Sequence, residues 1–363
     1  MADLSGSTGS CLVSLEGSLS GASDPAESLI GLDPVDGRPL LARYDLDRVG
    51  TTFDREALAA RRGGWRVAVS RAVELGARHL VAPSAGNAGG ALAAYAARAG
   101  VRATVVMPAD APAANQIEVL VAGADLLLLD GLISDCGRLA ALMARELGGF
   151  DLSTLKEPYR LEGKRTMGFE LAEDLGWELP DVVVYPTGGG TGLVGMWKAF
   201  AELEQLGLVS SRRPRLVSVQ AEGCAPIVRA FDAGERFATP WAGADTAAAG
   251  LRVPGAVGDF LILDAIRRSG GCALVVGEAE IAAMQGLVAA RTGLFSGLET
   301  AAAVAALPRL LDAGLISAGD RIVVFDTGSG FKSPEPAGDR MPEVIPNDEA
   351  AWPAVAEALR RND

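Results

Sequence analysis

The sequence predicts an α/β protein with two domains and mostly parallel, open sheets. From about residue 67 onward, short apolar runs rich in β-branched residues alternate with Ala-, Leu-, Glu- and Arg-rich segments of helical spacing. Strands that are apolar throughout are typical of parallel sheets, because helices cover both faces of such a sheet. The chain of 363 residues also exceeds the roughly 250–300 residues at which a single hydrophobic core stops growing. Ligands of such sheets bind beyond the carboxyl ends of the strands.

The predicted elements follow in chain order. "GRPLLARYDLDRV" is expected to form a strand and a short extension, and "WRVAVSRAVELG" a helix. The later predicted strands are HLVAP, ATVVMP, DLLLLD, DVVVYP, RLVSVQ, CALVVG and RIVVFDTG. The helical segments between them include GGALAAYAARAG and EIAAMQGLVAARTG.

Composition divides the chain into five parts. Residues 1–30 are rich in Ser, Gly and Asp, and we expect them to be poorly ordered. The other predicted parts are an N-terminal arm of the large domain (31–66), a small α/β domain (67–150), a large α/β domain (151–335) and a tail with a terminal helix (336–363).

Charge and cysteine content exclude several classes of protein. The formal net charge of −13 leaves no sequence-wide basic field for nucleic acid or anionic lipid. No apolar run is long enough to span a bilayer, and no signal peptide is expected. The cysteines are widely scattered, at Cys11, Cys136, Cys224 and Cys272, so we expect neither a disulfide framework nor a zinc site. We expect the single histidine, His79, to have a structural role. We therefore expect a cytoplasmic protein without a metal site.

One glycine-rich turn is suited to bind a phosphate. In "VVVYPTGGGTGLVGMW", a strand ends near Pro186 and four glycines occur within Gly188–Gly192, before a helix. Glycine lets the backbone turn sharply and bring its N–H groups close to an anion. Thr191 adds a hydroxyl, and the helix N-terminus adds a partial positive charge. The alternative is a tight turn with a structural role only.

Two further turns are weaker candidates. In "VAPSAGNAGG", Ser84 and Asn87 stand where a strand runs into a helix, and either residue type is also a common helix cap. In "RIVVFDTGSGFK", the final strand is followed by Thr327, whose hydroxyl suits a contact with a ring nitrogen.

These segments together resemble the threonine synthases, which have the second fold type of pyridoxal-phosphate enzymes. The matching pieces are "SRAVELGARHLVAPSAGNAGGALAAYAARAG", "STLKEPYRLEGKRTMGFELAEDLGWELPDVVVYPTGGGTGL" and "VVFDTGSG", with "ARYDLDRV" as the family's N-terminal strand. The resemblance implies a lyase of amino-acid biosynthesis that converts O-phosphohomoserine and water to threonine and phosphate. It also implies pyridoxal 5′-phosphate as cofactor, a small amino-acid substrate and a homodimer.

The resemblance implies a role for each matching residue. Gly188, Gly189, Gly190, Thr191 and Gly192 would hold the cofactor phosphate. Asn87 would bind the hydroxyl on the cofactor ring, and Thr327 would face the ring nitrogen. Ser84, with the adjoining backbone, would receive the substrate carboxylate. Arg160 would grip the phosphate of the substrate, a task suited to a fork of donors.

The lysine that carries the cofactor in this family is not found. The family places it in a stretch like "NPTGSFKxRG", at the start of the helix that here reads "WRVAVSRAVELG". The chain contains only Lys156, Lys164, Lys198 and Lys332. We therefore predict a deletion near Arg66 and Val67 that removes a segment of the cofactor domain. The alternative is that a remaining lysine reaches the cofactor, with Lys156 and Lys164 as the nearest candidates by motif. We expect both to be surface residues of helices, and we assign no catalytic residue.

Four other functions stay open at this point. A chain without the lysine suits an inactive pseudoenzyme, or a regulatory partner of an intact homologue. On the same scaffold, a serine or threonine dehydratase and a cysteate-synthase-like enzyme are also possible. In "SGLETAA", Leu298 and Thr300 replace a proline and a glycine of the family, and we expect backbone strain at Thr300.

Overall fold

Two parallel sheets and one antiparallel sheet organise the part of the chain that the computed structural model describes. That part comprises residues 10–52 and 64–334, with residues 344, 345, 347, 352–354 and 357. The chain to Ser333 forms one compact unit, and residues from Pro334 onward form a second.

The first parallel sheet has the strand order β6-β5-β4-β7. Its strands are β4 (His79–Pro83), β5 (Arg102–Pro108), β6 (Asp125–Leu129) and β7 (Phe150–Asp151). The helices between and around them are α2 (Gly64–Glu74), α3 (Asn87–Ala99), α4 (Ala113–Val121) and α5 (Ile133–Glu146). In register, Val81 pairs with Thr104, and Val105 pairs with Leu126. Buried Leu80, Val105 and Met107 show why these strands are apolar throughout.

The second parallel sheet has the order β10-β9-β8-β11. Its strands are β8 (Val182–Pro186), β9 (Arg215–Ala221), β10 (Cys272–Val276) and β11 (Ile322–Val324). The associated helices are α6 (Tyr159–Asp174), α7 (Thr191–Gln205), α8 (Pro226–Asp232), α9 (Asp259–Arg268), α10 (Glu278–Thr292), α11 (Leu298–Ala305) and α12 (Leu307–Asp312). The prediction of an α/β protein with mostly parallel sheets is thereby confirmed.

The N-terminal region corrects one prediction. Residues 12–25, expected to be poorly ordered, contain strands β1 (Leu12–Gly17) and β2 (Ser23–Pro25). Both pair in an antiparallel sheet of order β2-β1-β3 with the predicted strand β3 (Leu40–Tyr44). Leu15 is fully buried there, so one apolar face anchors a segment whose average composition is polar.

The predicted deletion falls inside a helix. Helix α1 (Leu46–Thr52) precedes residues 53–63, which lie outside the described residues. Helix α2 begins at Gly64 and passes through positions 66 and 67 without interruption. Loss of a segment near this point remains a prediction.

In the second unit, residues 352–354 and 357 are helical, within the segment expected to form a terminal helix. Among the described residues, no helix is both long and apolar enough to cross a membrane.

Candidate active site

A cavity of about 490 Å³ opens at the carboxyl ends of β4 and β8. The turn 83–88 and the turn 188–192 both line it, as do segment 249–257 and residues 327–329. The volume falls within the usual range of small-molecule sites, roughly 300–1,000 Å³. The three turns singled out in the sequence therefore face one cavity.

The turn after β8 is a close-fitting backbone cradle. Gly190 precedes α7 with φ +71°, a conformation that favours glycine. A Cβ atom on Gly188 would overlap the carbonyl oxygen of Gly250, and one on Gly192 would overlap the hydroxyl of Tyr185. Only hydrogen fits at these positions, and the first N–H groups of α7 lack partners within the helix. The cradle therefore fits a phosphate group.

The turn after β4 is held by Ser84, which is 5% exposed. Its hydroxyl accepts from the N–H of Gly89 at 2.8 Å and of Gly86 at 3.2 Å, and donates to the Gly86 carbonyl at 3.0 Å. The N-cap residue of α3 is Gly86, so the alternative role of Ser84 as the N-cap residue is wrong; its hydroxyl instead binds the N–H of Gly89 from two positions before the cap. The N–H groups at the start of α3 are the other polar groups of this turn that suit a carboxylate.

Asn87 lies beside Thr327. The side-chain amide of Asn87 donates to the Thr327 carbonyl at 3.0 Å, across 240 residues of sequence. Its Oδ1 accepts from Lys332 Nζ at 2.6 Å, and Lys332 also pairs with Glu118 at 2.7 Å. Sequence reasoning missed Lys332, because nothing local links it to Asn87.

The turn that carries Thr327 is braced by α11. The hydroxyl of Thr300 accepts from the N–H of Thr327 at 3.1 Å and donates to Asp326 at 2.8 Å. Thr300 lies within helix α11 and is not among the described residues with positive φ. The expected strain at Thr300 is therefore wrong, because helical backbone accommodates a threonine.

Glu299 lies in the segment SGLETAA and holds part of the cavity wall in place. Its Oε1 accepts from the N–H of Gly250 at 2.8 Å. Gly250 belongs to a short 3-10 helix, Ala249–Leu251, and its carbonyl lies against Gly188. Glu299 thereby holds this segment against the phosphate cradle.

An ion pair joins Arg252, on the cavity wall, to Asp110 in the turn after β5. Both guanidinium nitrogens of Arg252 donate to Asp110 at 2.8 Å, and Arg252 lines the cavity. Hydrogen bonding by Arg252 lowers the pKa of the Asp110 carboxyl. The 142 residues between the partners explain why the sequence did not indicate this contact.

Arg160 is not among the residues that line the cavity. Its guanidinium donates to the Leu152 carbonyl at 2.8 Å, and burial lowers its pKa to about 10. In this arrangement Arg160 lies one helical turn before Lys164 on α6. A grip on the substrate phosphate by Arg160 remains a proposal that requires its side chain to move.

Two lysines expected on the surface, Lys156 and Lys164, line the cavity together with Lys332. The expectation that both are surface residues is therefore wrong. It was based on the helical pattern alone and not on the elements that pack around these residues. Lys198 instead lies in a buried cluster, where it pairs with Glu162 at 3.0 Å and Glu202 at 2.7 Å.

That cluster, the Glu162 network, fastens the N-terminal sheet to the cavity wall. Arg165 pairs with Glu162 at 3.1 Å and with Glu202 at 2.5 Å. Its guanidinium also lies 4.4 Å from the ring centroid of Tyr44 on β3, and Lys198 lies 5.0 Å from the same ring. Two anions and two cations balance one another out of water, on the pair of helices α6 and α7.

Elsewhere, His79 has the structural role expected. Its Nε2 lies 2.8 Å from the Thr104 hydroxyl in the buried sheet, and burial lowers its pKa. Among the residues that the structure describes, no group of His, Cys, Asp and Glu side chains forms a metal site.

Glu157 makes stability depend on pH. This buried carboxyl accepts from the N–H groups of Tyr159 and Arg160 at 2.7 and 2.9 Å, and burial raises its pKa from 4.5 to about 7. Between these values the folded chain keeps a proton that the unfolded chain releases, so this contribution to stability is lost as pH rises. We expect Glu157→Gln to abolish this pH-dependent loss of unfolding free energy, which amounts to about 3 kcal/mol at most.

Urea unfolding of wild type and Glu157→Gln at a series of pH values from 4.5 to 7 measures this effect. The difference in unfolding free energy should shift in favour of the variant as pH rises. A difference that is constant with pH would show that Glu157 does not titrate in this range.

Fold and cavity together define a class: an α/β protein with a cavity at the carboxyl ends of parallel strands that suits a phosphorylated ligand. Comparison with known proteins specifies the class further. The model of the family "Pyridoxal-phosphate dependent enzyme" matches residues 48–328. The chain belongs to this family, whose cofactor is pyridoxal phosphate.

Among curated proteins, the chain is similar to threonine synthases. It is 34% identical to that of Methanocaldococcus jannaschii over 76% of this chain and 67% of the relative. It is 35% identical to that of Methanosarcina acetivorans over 82% of this chain and 73% of the relative. Among solved structures, maize serine racemase superposes with a TM-score of 0.61 at 20% identity, over 82% of this chain and 83% of that one. This last likeness concerns the fold alone.

Proposed function

We propose that the chain is an enzyme of the threonine synthase type, which converts O-phosphohomoserine and water to threonine and phosphate. The observation that carries the proposal is the convergence of three turns, those of Gly188–Gly192, Ser84–Asn87 and Thr327, on one cavity. The identity of 34–35% to threonine synthases supports the choice of reaction.

Residues of this cavity fit the parts of the cofactor. The backbone N–H groups of Gly188–Gly192 and the hydroxyl of Thr191 would bind its phosphate at the N-terminus of α7. Asn87 would bind the ring hydroxyl, and Thr327 would face the ring nitrogen. A hydroxyl at this position leaves that nitrogen largely unprotonated, since it carries no negative charge. When bound, pyridoxal phosphate supplies an electron sink for negative charge that develops at the amino-bearing carbon.

The substrate would bind on the opposite turn. The start of α3, with Ser84, would receive the substrate carboxylate. Arg160 would contact the substrate phosphate after a rearrangement. Arg252 also lines the cavity, but both of its terminal nitrogens are already paired with Asp110. Glu299 holds Gly250 against Gly188. It would thereby keep this backbone segment fixed beside the cradle.

We also propose that the protein serves threonine biosynthesis in the cytoplasm and forms a homodimer. These proposals follow the resemblance to threonine synthases.

A non-catalytic pyridoxal-phosphate-binding protein is the second candidate, either alone or as the partner of an intact homologue. One observation favours it: the sequence has no lysine before Lys156, so the family's usual lysine is not found ahead of α2. The dehydratase and cysteate-synthase-like activities are further alternatives on the same scaffold.

An assay with purified protein and added pyridoxal phosphate distinguishes these functions. We expect phosphate and threonine to appear in equal amounts from O-phosphohomoserine. Formation of oxoacids from serine or threonine, without reaction of O-phosphohomoserine, would instead indicate a dehydratase. Bound cofactor without turnover of any of these substrates would favour the non-catalytic alternative.

A further inference from the structure

We infer that Lys164 on α6 is the residue that binds pyridoxal phosphate covalently in this chain. The inference rests on the cofactor binding in the proposed function, and it does not depend on the identity of the amino-acid substrate. The family's lysine stands at the start of the helix that is α2 in this chain. The inference places the reactive amine on α6 instead.

Lys164 lies next to the phosphate cradle. Helices α6 and α7 approach so closely that a Cβ atom on Gly195 would lie 3.0 Å from the backbone carbon of Lys164. Gly195 follows Gly192 of the cradle by one helical turn. The side chain of Lys164 lines the same cavity as the cradle. The amine and the phosphate site are therefore carried by two helices in direct backbone contact.

Helix α6 also borders the helix whose start would follow the family's lysine. The guanidinium of Arg71 on α2 lies 5.8 Å from the ring centroid of Tyr159, the first residue of α6. An amine from α6 thus comes from a helix adjacent to the expected one. A lysine on this neighbouring helix can replace the missing lysine without a change in the backbone fold.

The other lysines are bound by carboxylates. Lys332 pairs with Glu118 at 2.7 Å, Lys156 lies 4.0 Å from Asp151, and Lys198 is held by two glutamates. The amines of these three lysines are therefore engaged in ion pairs. For Lys164, no carboxylate or other hydrogen-bond partner is found among the described residues.

The surroundings of Lys164 favour the neutral amine. Burial lowers its pKa, and the positive charge of Arg160, one turn earlier on α6, lowers it further. Desolvation together with a neighbouring cation is a known way to activate a lysine as a nucleophile. Lys164 thus differs from the other three lysines in both charge environment and partners.

The step is a condensation and needs no further reactant. The lone pair of the neutral Lys164 nitrogen forms a bond to the aldehyde carbon of pyridoxal phosphate. The aldehyde oxygen then leaves as water with the two amine hydrogens, and a carbon–nitrogen double bond remains. No atom is oxidised or reduced.

Borohydride trapping tests the assignment. Wild type, Lys164→Arg, Lys164→Met and the control Lys156→Arg are incubated with pyridoxal phosphate, scanned for the visible imine band, reduced with borohydride and mapped by peptide mass. Equilibrium dialysis measures cofactor binding by each protein, and circular dichroism verifies that each is folded.

We expect the added mass on the peptide with Lys164 in wild type and in Lys156→Arg. In both Lys164 variants the band and the label should fall to background, since a guanidinium or thioether cannot form the bond. Label on Lys156 or Lys332, or a band that persists in folded Lys164 variants, would overturn the inference. So would binding by dialysis without any imine in wild type, an outcome that leaves the cofactor site itself intact. Absence of binding in wild type would contradict both this inference and the proposed function.

Discussion

Replacing Gly188 by alanine is expected to lower the affinity for pyridoxal phosphate by about tenfold to a hundredfold. The added methyl group would overlap the carbonyl oxygen of Gly250, a backbone atom that no rotamer change can move. Relieving such an overlap costs roughly 1–3 kcal/mol, and 1.4 kcal/mol corresponds to a tenfold change in affinity. Either the phosphate cradle or the segment 249–251 must shift, and both line the cavity.

Gly189→Ala is the matched control within the same turn. Its Cβ atom would lie 3.0 Å from a methyl carbon of Thr154, a side-chain atom, and meets no backbone atom within 4 Å. Equilibrium dialysis with pyridoxal phosphate should show a much smaller loss for Gly189→Ala than for Gly188→Ala. Equal affinities for wild type and Gly188→Ala would show that the cradle does not hold the ligand.

Replacing Glu162 by glutamine is expected to lower the free energy of unfolding by about 3–5 kcal/mol, the usual cost of removing one partner from a buried ion pair. Glu162 is 2% exposed and pairs with both Arg165 and Lys198. In the variant, two buried cations would share Glu202 alone. The uncompensated charge would also loosen the contact of both cations with Tyr44 on the N-terminal sheet.

Glu16→Gln provides the control for this change in the same residue type. Glu16 pairs with Arg43 at 2.7 Å, but both side chains are more than a third exposed. Exposed pairs of this kind contribute up to about 1 kcal/mol. Chemical denaturation of the two variants should separate them clearly. A loss of stability for Glu162→Gln as small as that for Glu16→Gln would contradict a balanced buried network.

The parallel sheets could be predicted from the sequence because their signal is local. "HLVAP" and "DVVVYP" are mainly apolar, without the alternation of a half-exposed strand, and they contain β4 and β8. The turns that follow these strands were found for the same reason. Strands β8 and β11 belong to one parallel sheet, so the turns after them meet at one edge. Strand β4 belongs to the other sheet, so the approach of its turn to the same cavity could not be derived from the sequence.

The contacts that complete the cavity could not be predicted, because their partners are far apart in sequence. Lys332 reaches Asn87 across 245 residues, and Arg252 reaches Asp110 across 142. The sequence pattern places Lys164 on a helix surface, and only the packing of α7 against α6 shows that it lines the cavity. Strand β1 was missed because its flanking residues are Ser and Gly, although Leu15 supplies a buried anchor.

The central claim is that the turn Gly188–Gly192 binds the phosphate of pyridoxal phosphate, and comparing this cofactor with pyridoxal tests it most directly. Pyridoxal has the same ring and aldehyde without the phosphate. Equilibrium dialysis of the wild-type protein should show pyridoxal phosphate binding at least about 100-fold more tightly, equivalent to about 2.7 kcal/mol, as expected for charge-assisted hydrogen bonds at a helix N-terminus. Equal affinity for the two compounds would contradict the account.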